Sequence, residues 1–87
     1  MASQEEINKV WKRGKPIKGK NPDTYRKDIK GNEIYKPSYG LDSKKGWEID
    51  HIKPLNKGGS NAMKNKQPLQ SGENKRKSDK YPYRKKK

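Results

Sequence analysis

The chain contains one histidine, His51, directly preceded by Asp50; twenty-three residues further on stands Asn74. Asp50 and Asn74 are oxygen donors, the ligand type that suits a hard divalent cation such as Mg²⁺ or Mn²⁺. An imidazole exchanges protons near neutral pH and is suited to deprotonating a water. A cation, a base and an excess of positive charge are the parts needed to hydrolyse a phosphodiester. Three residues carry that chemistry only if the chain brings them together.

The surrounding segments are of the right kind. Trp47-Glu48-Ile49-Asp50-His51-Ile52 alternates apolar and polar side chains until Pro54 closes it, which predicts a strand. Lys57-Gly58-Gly59-Ser60-Asn61 is a turn cluster. Lys66-Gln67-Pro68-Leu69-Gln70 has the length of a return strand, and Pro68 confines it to a sheet edge. Ser71 is suited to cap a helix running to about Asp79, with Glu73 in its first turn and Lys75, Arg76 and Lys77 after it. Such a helix packs across the ribbon and brings Asn74 towards the strand ends. Alternation opposes this in one respect: adjacent residues of a flat strand point to opposite faces, so Asp50 and His51 share a site only if the strand twists or ends there.

Upstream, Ser3 to about Arg13 reads as a helix: Ser3 caps it, Glu5 and Glu6 favour its N-terminal end, and Ile7, Val10 and Trp11 share a face. Gly14 and Pro16 end it. A loop is expected from Lys15 to about Asp23, a helical turn over Tyr25–Ile29, a turn at Gly31-Asn32, a short strand at Glu33-Ile34-Tyr35 and a loop from Gly40 to Gly46. The fold class is therefore α+β, with the whole chain forming one small domain.

Composition narrows the function. Eighty-seven residues leave room for one core. Only 24% of them are hydrophobic, Phe is absent, and six Ile, two Trp and some of the five Tyr must build that core. Trp11 and Trp47 are therefore assigned to packing rather than to base stacking. The longest apolar run is two residues, which excludes a membrane-spanning helix. No signal peptide is visible, and the lack of cysteine excludes a disulfide framework and a thiol nucleophile; both fit a cytoplasmic protein. The net charge of +14 makes nucleic acid the expected partner, because each neutralised phosphate releases a counterion. Residues 75–87 carry eight basic side chains and one acidic. Within them, residues 80–87 read as a mobile basic tail in which Tyr81 and Tyr83 stack on nucleotides or pack against the last helix.

At the chemistry-bearing positions the sequence resembles the HNH endonuclease family, built on the ββα-metal motif. The resemblance runs through Trp47–Pro54, Gly58-Gly59-Ser60-Asn61, Asn65–Leu69 and Asn74–Lys77, covering roughly residues 46–79. It implies a strand–loop–strand–helix unit that cuts DNA, duplex DNA foremost, with one divalent cation. Asp50 falls at the acidic metal-ligand position, His51 at the general base, and Asn74 at the helix-borne ligand. Asn65 falls at the asparagine that braces the loop. Lys77 falls at a basic position suited to contacting phosphate, with Lys75 and Arg76 beside it. The resemblance further implies products with 5′-phosphate and 3′-hydroxyl ends. Many family members brace the motif with two Cys-x-x-Cys pairs around a structural zinc; here Gln70 and Glu73 stand where the second pair would be, so no structural zinc is expected. Asparagine rather than histidine at position 74 favours Mg²⁺-like ions.

Two other readings compete with the nuclease. One is a nucleic-acid-binding module that keeps the fold without cleaving; the other is a small RNA-binding chain, which would leave the spacing of Asp50, His51 and Asn74 unexplained. Nothing in the sequence fixes an oligomeric state.

Overall fold

The structure, a computed structural model, describes residues 2–78, 80 and 81. The expected tail therefore falls largely outside the described residues, as do Asp79 and Tyr83.

The first helix, α1 (Gln4–Trp11), begins as the sequence dictates. The Ser3 hydroxyl accepts from the Glu6 amide at 3.1 Å, and Ile7, Val10 and Trp11 turn inward. It ends two residues before Arg13. The amides of Arg13 and Gly14 reach back only three residues, to Val10 and Trp11, tightening the last turn so that the chain leaves as a strand.

That strand is unexpected. β1 (Lys15–Pro16) lies within the stretch read as a loop, and β2 (Tyr25–Lys27) lies where a helical turn was expected. With β3 (Glu33–Tyr35) they form an antiparallel sheet in the order β1-β2-β3. The reason is non-local pairing: Tyr25 lies opposite Tyr35, their ring centroids 5.1 Å apart. Cross-strand aromatic pairs of this kind override a weak local preference for helix. Asn21 organises the approach, its side chain accepting from the Asp23 amide and its carbonyl from the amides of Thr24 and Tyr25.

β4 (Trp47–His51) and β5 (Lys66–Gln70) form a second antiparallel sheet. The register pairs Ile49 with Pro68, Asp50 with Gln67, and His51 with Lys66. Two strands have only edges, which is how Pro68 is accommodated. The connection between them closes through Gly59, where a Cβ would stand 1.8 Å from the Lys53 carbonyl oxygen. No larger residue fits that approach.

β5 runs directly into α2 (Ser71–Lys77), and this moves the cap. Gln70, not Ser71, caps the helix, its Oε1 accepting from the Glu73 amide at 2.9 Å. Ser71 is fully buried and donates its hydroxyl to the Leu41 carbonyl at 2.7 Å. The strand's last residue is thus the helix's first support, and the serine pins the preceding loop.

The core gathers Ile7, Val10, Trp11, Ile34 and Trp47, with Ile49 and Tyr39 packed against it. The Trp11 and Trp47 rings lie 5.2 Å apart, and Tyr39 meets Trp47 edge-on at 5.0 Å. Each indole N–H reaches a carbonyl, that of Pro22 from Trp11 and that of Lys36 from Trp47. Both tryptophans are therefore interior residues with satisfied polar ends. Among the described residues, no helix is long and apolar enough to cross a membrane.

Candidate active site

The end of β4 delivers Asp50 and His51, the middle of α2 delivers Asn74 and its last residue is Lys77; all four border one cavity of ≈ 380 Å³. Leu55 and Asn56, from the connection between β4 and β5, close another side. The structure thus brings Asp50, His51 and Asn74 to a common space.

Asp50 is 5% exposed. One carboxylate oxygen, Oδ1, lies 3.1 Å from the Lys77 ammonium, and the other accepts from Gln67 Nε2 at 2.9 Å. Gln67 is the direct cross-strand partner of Asp50, so strand register sets this contact. The Lys77 ammonium also donates to the His51 carbonyl at 3.0 Å. One lysine therefore ties α2 to two successive residues of β4.

This location corrects the expectation for Lys77. At 1% exposure it cannot be presented to phosphate in this conformation. Lying one turn beyond Asn74 on the ribbon-facing side of α2, it meets the buried carboxylate that needs a counter-charge. Lys75 and Arg76 instead lie exposed, Lys75 paired with Asp42 at 2.6 Å and Arg76 with Glu73 at 3.0 Å. Asn74 is half-buried, and its carboxamide has no hydrogen-bond partner among the described residues.

His51 also borders a second cavity of ≈ 360 Å³, with Glu6, Tyr39, Asn61 and Lys66. Its Nε2 lies 2.9 Å from Asn61 Oδ1. Glu6 and Lys66 form an ion pair there. Burial, together with the negative charges of Glu48 and Glu6, pushes the Tyr39 phenol above its ordinary pKa. The strand carries the two residues without a break: Asp50 is withdrawn towards α2, while the imidazole lies against Asn61 at the ribbon's end, and His51 borders both cavities.

Asn65 spans the connection between the strands. Its Oδ1 accepts from the Lys53 amide at 2.9 Å, and its Nδ2 donates to the carbonyls of Lys53 and Ser60 at 3.0 and 2.7 Å. Asn61 and Gln67 are contacts that reading the sequence missed. Asn61 had passed as a turn residue; Gln67 was detectable by folding the two strands about their connection and finding which residue lies opposite Asp50.

Among the described residues, no three His, Cys, Asp or Glu side chains gather in a manner that could hold a metal ion. The oxygen donors bordering the first cavity include the Asp50 carboxylate and the carboxamides of Asn56 and Asn74. This fits a hard cation such as Mg²⁺, which keeps several waters and takes few protein oxygens together with substrate phosphate.

The sequence model of the HNH endonucleases matches residues 27–83, more than half of the chain. No curated protein and no solved structure gives a match.

Proposed function

For a chain that belongs to the HNH endonuclease family, we propose that it hydrolyses phosphodiester bonds of DNA at the cavity bordered by Asp50, His51 and Asn74. The observation supporting this is that Asp50, His51 and Asn74 border one space, with the Asn74 carboxamide unengaged. With Asn61 Oδ1 as acceptor, His51 Nε2 carries the ring proton and Nδ1 offers its lone pair. The imidazole takes a proton from water as that water's oxygen attacks phosphorus. The bond from phosphorus to the 3′ oxygen breaks, that oxygen is protonated, and the ends formed are 5′-phosphate and 3′-hydroxyl. Asp50 and Asn74 would hold a divalent cation, Mg²⁺ or Mn²⁺, whose contribution when bound is to stabilise charge on the phosphoryl and leaving oxygens. Lys77 and Gln67 keep the Asp50 carboxylate in place.

Supercoiled plasmid incubated with Mg²⁺, Mn²⁺ or chelator tests this reading. Nicking by the unaltered protein that needs the cation and disappears in His51→Ala supports it. Near-normal cutting by His51→Ala would overturn the assignment of the base. One observation favours a second reading, a module that binds without cutting: each Asp50 oxygen already has a protein donor. Retention of duplex DNA without nicking under any cation would favour that alternative.

A further inference from the structure

A separate recess of ≈ 250 Å³ is lined by Arg13, Lys15, Lys27, Asp28, Ile29 and Gln67, among others. Its charges are arranged unusually. Lys15 and Lys27 are direct cross-strand partners in the β1–β2 pair. Both are exposed, and neither has an ion-pair partner among the described residues. Like charges facing each other across two strands oppose the pairing. Where lysines lie close together elsewhere, an acid can sit between them: Lys20 and Lys45 share Glu33.

The one carboxylate lining the recess does not neutralise it. Asp28 is 5% exposed, and its oxygens accept from the amides of Lys30, Asn32 and Gln70 and from the Asn32 side chain. It is committed to the turn between β2 and β3 and to the end of β5. Arg13 adds a third positive charge; the carbonyls of Lys66 and Lys64 accept from its guanidinium at 2.8 and 3.4 Å. Ile29, 48% exposed, supplies an apolar wall suited to a sugar.

We propose that this recess binds a backbone phosphate of duplex DNA away from the bond being cut. The proposal rests on the reading of the chain as a DNA-cleaving protein. Gln67 connects the two places, since it lines the recess and its side chain donates to Asp50. A phosphate between Lys15 and Lys27 turns their mutual repulsion into shared attraction, so the register that weakens the free sheet strengthens the complex.

The test is fluorescence anisotropy of a fluorescein-labelled duplex in chelator, over a series of salt concentrations. Three proteins are compared: the unaltered one, Lys15→Gln/Lys27→Gln, and Lys18→Gln/Lys44→Gln, which removes the same charge elsewhere. The first pair is expected to weaken binding on the order of tenfold and to flatten the dependence of log K on log salt by about 0.9, one phosphate contact. The control pair is expected to keep the unaltered slope. Equal losses in both pairs, or an unchanged slope in the first, would overturn the proposal while leaving the DNA reading intact. Failure of the unaltered protein to hold the duplex would overturn both. A structured RNA that displaces the duplex at equal nucleotide concentration would also overturn it. Thermal melting separates lost binding from lost folding: Lys27→Gln is expected to raise the midpoint, and a fall would remove the argument from charge opposition.

Discussion

The ammonium of Lys77 lies 3.1 Å from the carboxylate of Asp50, the two side chains being 1% and 5% exposed. The pair joins the helix to the strand that carries His51, and the same ammonium bonds the His51 carbonyl. Removing one member leaves a buried charge without its counter-charge. Lys77→Met is therefore expected to destabilise the fold by about 3–5 kcal/mol, read as a lower denaturant midpoint. Asp50→Leu with Lys77→Met should cost less than Lys77→Met alone, because no unpaired charge remains. A single variant as stable as the parent would refute this account of the pair.

Asp28 stands at a second junction. It accepts from the Gln70 amide at 2.9 Å while holding the amides of Lys30 and Asn32, and Gln70 in turn caps α2. Asp28→Ala is expected to cost on the order of 3 kcal/mol, since three half-buried amides lose a charged acceptor. Hydrogen exchange should accelerate at the Asn32 and Gln70 amides first; unaltered protection there would show that the junction is not held by this carboxylate.

Asn65 connects the two ends of the loop beside the cavity through three hydrogen bonds. Asn65→Ala should raise amide exchange over residues 53–61 and reduce plasmid nicking, while the Trp11–Trp47 packing keeps its near-ultraviolet circular dichroism. A change in the tryptophan signal as large as that from a core substitution would mean that the loop is not separable from the core.

Calorimetric titration with Mg²⁺ or Mn²⁺ tests the oxygen donors. Asn74→Ala removes the unengaged carboxamide at little cost to the fold and is expected to weaken cation binding at least severalfold. Chelator should abolish nicking without altering the far-ultraviolet spectrum. Cation binding that is indifferent to residue 74 would exclude it as a ligand.

Glu33 gives a pH dependence away from the site. Hydrogen bonds from Lys20 and Lys45 hold its carboxyl below the ordinary value of 4.5, and Glu33 holds Lys45 above its ordinary 10.5. A carboxyl lowered on folding contributes stability that is present above its unfolded pKa and lost as pH falls through the folded one. An ammonium raised on folding contributes below its unfolded pKa and loses that contribution as pH rises through the folded one. The melting-temperature difference between the parent and Glu33→Gln should thus be steady across neutral pH, shrinking below 4.5 and above 10.5. A difference constant into acid would contradict the assignment.

Where a signal was local, the sequence sufficed. Ser3 and the spacing of Ile7, Val10 and Trp11 specify the first helix. Alternation from Trp47 and the Pro68-containing run specify two strands, and the glycine cluster between them requires a reversal. These features depend on neighbours a few residues apart, so composition and period reveal them. The same spacing named Asp50, His51 and Asn74 as the residues with chemistry to offer. Tertiary structure decided whatever depends on partners far along the chain. Tyr25–Lys27 became a strand because Tyr35 lay opposite, and Gln70 displaced Ser71 as cap because Leu41 took the serine hydroxyl. Lys77 turned from a surface charge into the buried partner of Asp50. A lysine in a list of lysines carries no mark of its destination; only packing the helix on the ribbon selects which one must meet the carboxylate, since burying that charge unpaired costs more than ordering the pair.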